Sequence, residues 1–411
     1  MQPVMAHRIV NWGLGRHSPP WELMVCPTHR CNLRCGICAR SWEDTTAGEL
    51  FDELPEQRWL DLMDEAEKIG VKYLNIGGGG EPTLRSELVL NLCAKGKECG
   101  MAVHLQTNGT TLTRADISQL IKLRVDYITV SLDGPVAEIN DAIRFKNAYA
   151  ETVKNIQLLV ALKKECHSAF PRLQINMVVT ALNFHALEAM VDFCVDNSVE
   201  YLSAKTLLEY SPNMTAYILS PEQEGSLPGK VEKAAARACA AGLAHNLETL
   251  LSSKSWQAEP LNAQDGISHR QVRTIAEVRC LEPWRGLVVS SSGHVAPCCF
   301  FWDGTADSVR EKSLEEVWLG PYLTSFRQRM RNGELPAPCT TCGFPDSRDH
   351  VRLAACVSRA EAEAERGMGF RSPAVFLRKA WNSLRRHGVL SSLRRYREWR
   401  AVQRALRNEP K

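Results

Sequence analysis

Cys31, Cys35 and Cys38 stand in the order C-x3-C-x2-C. The thiolate form of cysteine is a soft metal ligand and a nucleophile. In a reducing compartment, clustered cysteines point to metal or catalysis rather than to disulfides. At this chain's cysteine frequency, such a triplet arises by chance about 0.02 times. Three thiolates on a short loop suit an iron–sulfur cluster that keeps one iron open, whereas a closed zinc site needs a fourth ligand. Cys26 and His29 are the nearby choices for that fourth ligand. A second group of cysteines lies between 280 and 342. The isolated Cys93, Cys99, Cys166, Cys194 and Cys239 fall in helix-like patterns and read as small buried hydrophobes.

Something must hold these thiols in place, and the chain is long enough to supply it. Its 411 residues are 44% hydrophobic and 24% charged, which excludes a mostly disordered or collagen-like chain. No apolar run reaches the length of a membrane span, and the first twenty residues lack a secretory signal, so a cytoplasmic location is expected. The net charge of +3 hides an asymmetry: residues 371–411 hold 12 Lys/Arg against 2 Asp/Glu. The body is mildly acidic, and the tail is the basic element.

Residues 21–205 alternate strand and helix patterns. Strands are expected at 21–28, 71–78, 101–108, 125–133, 172–180 and 199–207. Helices are expected at 54–70, 85–98, 113–123, 150–165 and 184–197. This alternation predicts an α/β fold, a parallel sheet curled into a partial (β/α)6 TIM-like barrel. Residues 211–279 read as a connector with one helix near 230–251. Residues 286–299 read as a β-hairpin turning at Ser292-Gly293, with a helix at 313–320.

The triplet follows the first strand, and three further motifs sit at later strand ends. They are Gly77-Gly78-Gly79-Gly80-Glu81-Pro82-Thr83, Gln106-Thr107-Asn108-Gly109, and Ser131-Leu132-Asp133-Gly134 with Arg144 shortly after. In this order they resemble the radical S-adenosylmethionine (radical SAM) superfamily. The resemblance implies a 4Fe–4S cluster on Cys31, Cys35 and Cys38 whose open iron chelates S-adenosylmethionine. It implies that Gly79 and Gly80 allow close approach to the methionine moiety. Glu81, or the carbonyls beside it, would accept from the amino group, and Arg144 would pair with the carboxylate. Asn108 and Ser131 would contact the ribose. The residue before the last cysteine, usually aromatic in that family, is here Ile37. The implied chemistry is one-electron cleavage of S-adenosylmethionine to a deoxyadenosyl radical that removes hydrogen from an unactivated carbon, fed by a low-potential donor such as flavodoxin or ferredoxin.

Cys280, Gly293, Cys298 and the pair Cys339 and Cys342 resemble the SPASM/twitch domains that carry auxiliary clusters. Positions 348 and 352, where a full SPASM domain has further cysteines, are both Arg. The resemblance therefore implies one auxiliary 4Fe–4S cluster on Cys280, Cys298, Cys339 and Cys342. Cys299 is the rival of Cys298, and Cys356 is spare. A zinc ribbon on the same four thiols is the alternative. A fully ligated cluster suits electron transfer, which favours a net oxidation.

The expected organisation is an arm (1–20), the barrel (21–210), the connector (211–279), a small α+β twitch/SPASM-like domain (280–345) and a basic amphipathic helical tail (346–411). The tail suits a docked helix pair or peripheral contact with an anionic membrane, and no nucleic-acid module accompanies it. Two enzymatic functions fit. One is dehydrogenation of a sugar or other small metabolite; the other is crosslinking, epimerisation or decarboxylation of a ribosomal peptide. The few residues before the first strand leave no room for a leader-binding domain, which favours the small metabolite. A non-enzymatic metal-bound scaffold is the third choice, opposed by the glycines. Glu282 and Trp284 are the candidates for substrate contact beside Cys280.

Overall fold

A computed structural model describes residues 2–42, 46–145, 147–209, 211–252, 274–301, 306–336, 339, 342 and 348–367. Helix α1 (Gln2–Gly13) precedes β1 (Glu22–Val25), followed by α2 (Ala47–Phe51) and α3 (Glu56–Ile69). The alternation continues with β2 (Tyr73–Ile76), α4 (Ser86–Glu98), β3 (Ala102–Thr107), α5 (Arg114–Lys122) and β4 (Tyr127–Ser131). Next come α6 (Ala137–Arg144), α7 (Ala148–Glu165), β5 (Arg172–Val179), α8 (Leu187–Asp196) and β6 (Tyr201–Thr206). Then follow α9 (Pro221–Ala240), β7 (Ala244–His245), α10 (Thr249–Ser252) and α11 (Glu282–Arg285). The hairpin β8 (Gly286–Val289) and β9 (Val295–Ala296) leads to α12 (Leu314–Leu319), α13 (Pro321–Arg331) and α14 (Arg348–Gly367).

The described strands form one sheet in the order β7-β6-β5-β4-β3-β2-β1-β8-β9, parallel except for the hairpin. Period two explains its layering. Leu23, Leu74, Leu105, Ile128, Ile175 and Leu202 point to the helices and are fully buried, in one cluster with Trp59, Leu62, Leu92 and Ile117. Each such side chain stabilises the fold by roughly 1.5–3 kcal/mol. The alternate positions Glu22, Tyr73, Asn75, His104, Gln106, Thr129 and Gln174 are polar. They line the inside of the curl, which is the partial (β/α)6 barrel expected.

The expected hairpin forms, and its β8 pairs in parallel with β1, Glu22 opposite Gly286 and Val25 opposite Val289. One local boundary needs correcting. The connector helix is α9, which starts at Pro221 rather than near 230 and ends before 251. Ser220 caps it in a capping box with Gln223, Pro221 takes the first turn, and Gly242 at φ +70 ends it. Gly225, Pro228 and Gly229 made this stretch read as loop.

The N-terminal helix is tied to the far end of the chain. Ala6, Ile9 and Val10 of α1 pack with Leu353, Val357 and Ala360 of α14 and with Ile275. Arg327 on α13 is buried between the rings of Trp12 and Trp318, 4.5 and 3.9 Å from their centroids, and donates to the carbonyls of Pro283 and Trp318. No described helix is long and apolar enough to cross a membrane. The basic segment 371–411 lies outside the described residues.

Candidate functional site

The loop after β1 is laid against the glycine-rich end of β2. Gly80 N donates to the Thr28 carbonyl and Glu81 N to the Arg30 carbonyl, both at 2.8 Å. A side chain at Gly80 would collide with the Arg30 backbone, and Gly79 sits at φ +63 beside the Thr28 carbonyl. These glycines therefore have a role within the protein: they let the cysteine-bearing loop lie flat on the strand end.

Cys31, Cys35 and Cys38 follow on that loop, each partly accessible. Leu33 N donates to Cys31 Sγ at 3.4 Å, and Asn108 Nδ2 approaches the same sulfur at 4.0 Å. Gly36 N donates to the Ile143 carbonyl, and Cys35 Sγ lies 3.7 Å from the Arg144 carbonyl. The loop is thus braced on β3 and α6. Burial pushes the Cys35 thiol up to about 11, opposed by the Arg144 guanidinium. Burial also raises Cys31, opposed by the Leu33 N–H and, more weakly, by Arg40. Arg40 Nε is buried with no partner among the described residues, a donor left over beside the thiols.

The spacing of the sulfurs tests which group fits. Among the described residues, one set of three Cys, His or carboxylate groups brings its ligand atoms within 4.8 Å of one another: Asp64, Glu67 and Cys99. Neither cysteine group does so. A tetrahedral zinc would need sulfurs about 3.8 Å apart. Three soft thiols on one loop are the donor set that a multi-iron cluster takes. Cys26 does not join the triplet: it is buried with Val288 and Ala296, its thiol pushed up to about 12 by desolvation and by Cys299. His29 lies beside Gly79.

The other expected ligand contacts are already engaged within the protein. Glu81 is buried: its Oε1 accepts from Thr83 N (3.1 Å) and from the Thr83 and Thr107 hydroxyls, and its Oε2 from Asn108 N (2.7 Å). It joins the ends of β2 and β3. Asn108 donates to Asn32 Oδ1 at 2.9 Å and accepts from Thr110 N. Arg144 is buried in an ion pair with Asp133 at 2.7 Å, and Asp133 accepts from Val178 N. Ser131 ends β4, half-buried, with no side-chain hydrogen bond among the described residues.

The second group gathers at the opposite end of β1. Cys280 lies in electrostatic reach of Cys339 and Cys342, and Cys298 in reach of Cys299 and, more weakly, of Cys280; burial raises both Cys280 and Cys298. Cys299 sits beside Cys298 and also meets the inner face. It is exposed yet flanked by Glu282, Lys205, Glu22 and Arg285, so it faces the inside of the barrel. Cys280, Cys298, Cys339 and Cys342 thus share one charged neighbourhood, and Cys299 adjoins Cys298 in it. Glu282 is paired with Arg285 at 3.0 Å, and Arg285 also pairs with Glu22. Trp284 is buried in the apolar cluster under α1.

Between the two cysteine groups runs the polar inner face. Gln106 Nε2 donates to Asn75 Oδ1 (2.7 Å) and Asn75 Nδ2 to Glu22 Oε1 (3.1 Å). Tyr73, His104, Thr129 and Gln174 form a second row. The four residues of β1 separate the two ends by roughly 13 Å. Sequence reasoning passed over this face, although its polar residues at every second position carried the signal.

Residues 25–194 match the radical SAM superfamily, and residues 280–343 match SPASM, an iron-sulfur cluster-binding domain. The tungsten-containing aldehyde ferredoxin oxidoreductase cofactor-modifying protein of Pyrococcus furiosus is 28% identical over 334 residues, 79% of this chain and 88% of that one. The PqqA peptide cyclase of Granulibacter bethesdensis is 26% identical over 333 residues, 79% of this chain and 80% of that one. The structure of SuiB from Streptococcus suis bound to S-adenosylmethionine superposes with a TM-score of 0.57 at 21% identity, covering 75% of this chain and 68% of that one.

Proposed function

We propose, from the premise that this chain is a radical SAM enzyme with a C-terminal SPASM domain, that it modifies a peptide by hydrogen abstraction and net oxidation. The observation that carries this is the similarity to a peptide cyclase across 79% of the chain. The sugar or small-metabolite substrate expected first has less support among the relatives. The Pyrococcus protein keeps a second reading in play, modification of a cofactor.

When bound by Cys31, Cys35 and Cys38, a 4Fe–4S cluster supplies the electron that splits S-adenosylmethionine and so starts C–H abstraction. The chain's own residues do the rest. Leu33 N and Asn108 aim the Cys31 sulfur, and the cationic Arg144 and Arg40 favour the thiolate forms. The carbonyls beside Glu81, together with Ser131, are the groups we assign to the ligand, with Gly79 and Gly80 holding the loop that presents the thiols. Arg144 meets a carboxylate only by sharing its guanidinium with Asp133. The inner face receives the substrate and excludes water from the reacting carbon. Cys280, Cys298, Cys339 and Cys342 would hold the auxiliary cluster, which would supply an electron acceptor there.

The test uses anaerobically reconstituted, dithionite-reduced protein with S-adenosylmethionine. Synthetic peptides from short reading frames beside the gene are the probes, with mass spectrometry as the readout. A peptide product lighter by two hydrogens, formed with deoxyadenosine, is expected. Deoxyadenosine release that no peptide stimulates, alongside conversion of a small metabolite, would overturn the peptide substrate.

A further inference from the structure

We infer that Tyr73 and His104 form a built proton acceptor in the barrel interior, which takes up a proton when an electron reaches the Cys280 site. This rests on the reading of the reaction as a net oxidation. It begins from four side chains on four adjacent strands: Tyr73 on β2, His104 on β3, Thr129 on β4 and Gln174 on β5. All four lie on the inner face, since their neighbours Leu74, Leu105, Ile128 and Leu173 point outward and are buried.

Their hydrogen bonds fix the direction of the chain. Thr129 has one hydroxyl proton and donates it to Gln174 Oε1 at 3.2 Å. The Thr129 oxygen must then accept from His104 Nε2–H, 2.7 Å away. A neutral imidazole with its proton on Nε2 has a lone pair on Nδ1, which accepts from the Tyr73 hydroxyl at 2.9 Å. The base nitrogen therefore points at the phenol. Burial keeps the ring neutral, lowering it to about 4.

The charged and titratable groups facing His104 come from several strands. Glu22 of β1 favours the protonated ring, and Lys205 of β6 opposes it. Tyr127 of β4 packs edge-on at 5.8 Å between ring centroids, and Tyr73 of β2 at 6.1 Å. The two carboxylates at this end, Glu22 and Glu282, are both paired with Arg285, three residues before which stands Glu282 and five before which stands Cys280. Glu22 is in register with Tyr73 on one side and Gly286 on the other. The proton acceptor and the four-cysteine site thus share one end of the sheet.

Loss of one electron from a substrate carbon radical leaves a cation that sheds a proton readily, so even a weak base suffices. An iron–sulfur cluster held at the Cys280 site would take the electron. The proton goes to the Tyr73 oxygen as the phenol passes its own proton to His104 Nδ1. The substrate X–H bond and the old Tyr73 O–H bond break; a new Tyr73 O–H bond and a His104 Nδ1–H bond form. The added negative charge at the cluster favours the imidazolium.

Two measurements test this without any substrate, so their failure is separate from a wrong peptide assignment. The first is a long-range 1H–15N spectrum of the full chain labelled with [15N]histidine, from pH 4 to 8. One of the 11 histidines should stay neutral, with its proton on Nε2, down to about pH 5. All of them titrating near 6.5, or the resistant one protonated on Nδ1, would overturn the inference. The second is an EPR-monitored redox titration of the full chain carrying Cys31→Ala, Cys35→Ala and Cys38→Ala, so that the auxiliary cluster alone reports. Its midpoint potential should fall as pH rises above about 4, and His104→Gln should flatten that slope. A potential independent of pH before the histidine change, or a slope that survives it, would overturn the coupling.

Discussion

Tyr217 closes on Gly36 so tightly that a methyl group at position 36 would overlap its hydroxyl. Gly36 lies between Cys35 and Cys38, and its carbonyl accepts from Trp42 Nε1 at 3.0 Å. Two aromatic side chains therefore clamp the middle of the cysteine loop. Gly36→Ala should push Tyr217 away, shift the loop and lower the iron retained after anaerobic reconstitution by more than half. Overpacking of this kind costs about 1–3 kcal/mol. Tyr217→Ala in the same chain should restore the iron, since it removes the other half of the clash. Equal loss in the single and double variants would mean that the contact does not set the loop.

The buried carboxylate of Glu81 is the next point of leverage. Its oxygens meet N–H and O–H donors from Thr83, Thr107 and Asn108. Glu81→Gln replaces one oxygen with an NH2 group that can only donate, which sets donor against donor. The expected destabilisation is about 2–4 kcal/mol. Urea unfolding should show a lower midpoint with an unchanged slope, and Asn108 would lose its hold on the cysteine loop. A midpoint within error of the parent would show that the carboxylate is dispensable to the strand ends.

Asp133 and Arg144 form a buried pair, with Asp133 wholly enclosed. Breaking such a pair from one side leaves an uncompensated charge and costs about 3–5 kcal/mol. Asp133→Asn should therefore unfold more readily than Arg144→Met combined with Asp133→Asn, in which no charge remains buried. Thermal melts of the metal-free chain compare them directly. If the single variant were the more stable, the pair would not be the internal tie described.

The motifs at the strand ends were legible because each combines a fixed spacing with a residue type that little else explains. Cys31, Cys35 and Cys38 need only be counted, and Gly77 to Gly80 announce a close backbone approach. What that approach serves was not legible: Gly80 meets the carbonyl of Arg30, a contact set by how the loop folds back. Arg144 has a partner in Asp133, eleven residues away, that no spacing rule singles out. The α1–α14 packing joins Ile9 to Val357, which a linear reading cannot bring together. The inner polar face was written plainly in Tyr73, Asn75, His104 and Gln106, but it has meaning only once the sheet is curled and one face is known to be inside.

His104 gives the fold a pH dependence whose sign can be worked out. Its pKa is about 4 in the folded chain, against 6.5 ordinarily, because burial disfavours the charged ring. Between those values the unfolded chain binds a proton that the folded chain refuses. Stability from this residue is therefore complete above pH 6.5 and falls as pH drops toward 4, below which both states are protonated and no more is lost. The difference amounts to about 3 kcal/mol at most, at 1.36 kcal/mol per unit. Urea midpoints measured at pH 7.0, 6.0, 5.0 and 4.5 should decline in the parent, and His104→Gln should decline less over that same range. Parallel curves for the two proteins would place the acid sensitivity elsewhere in the chain.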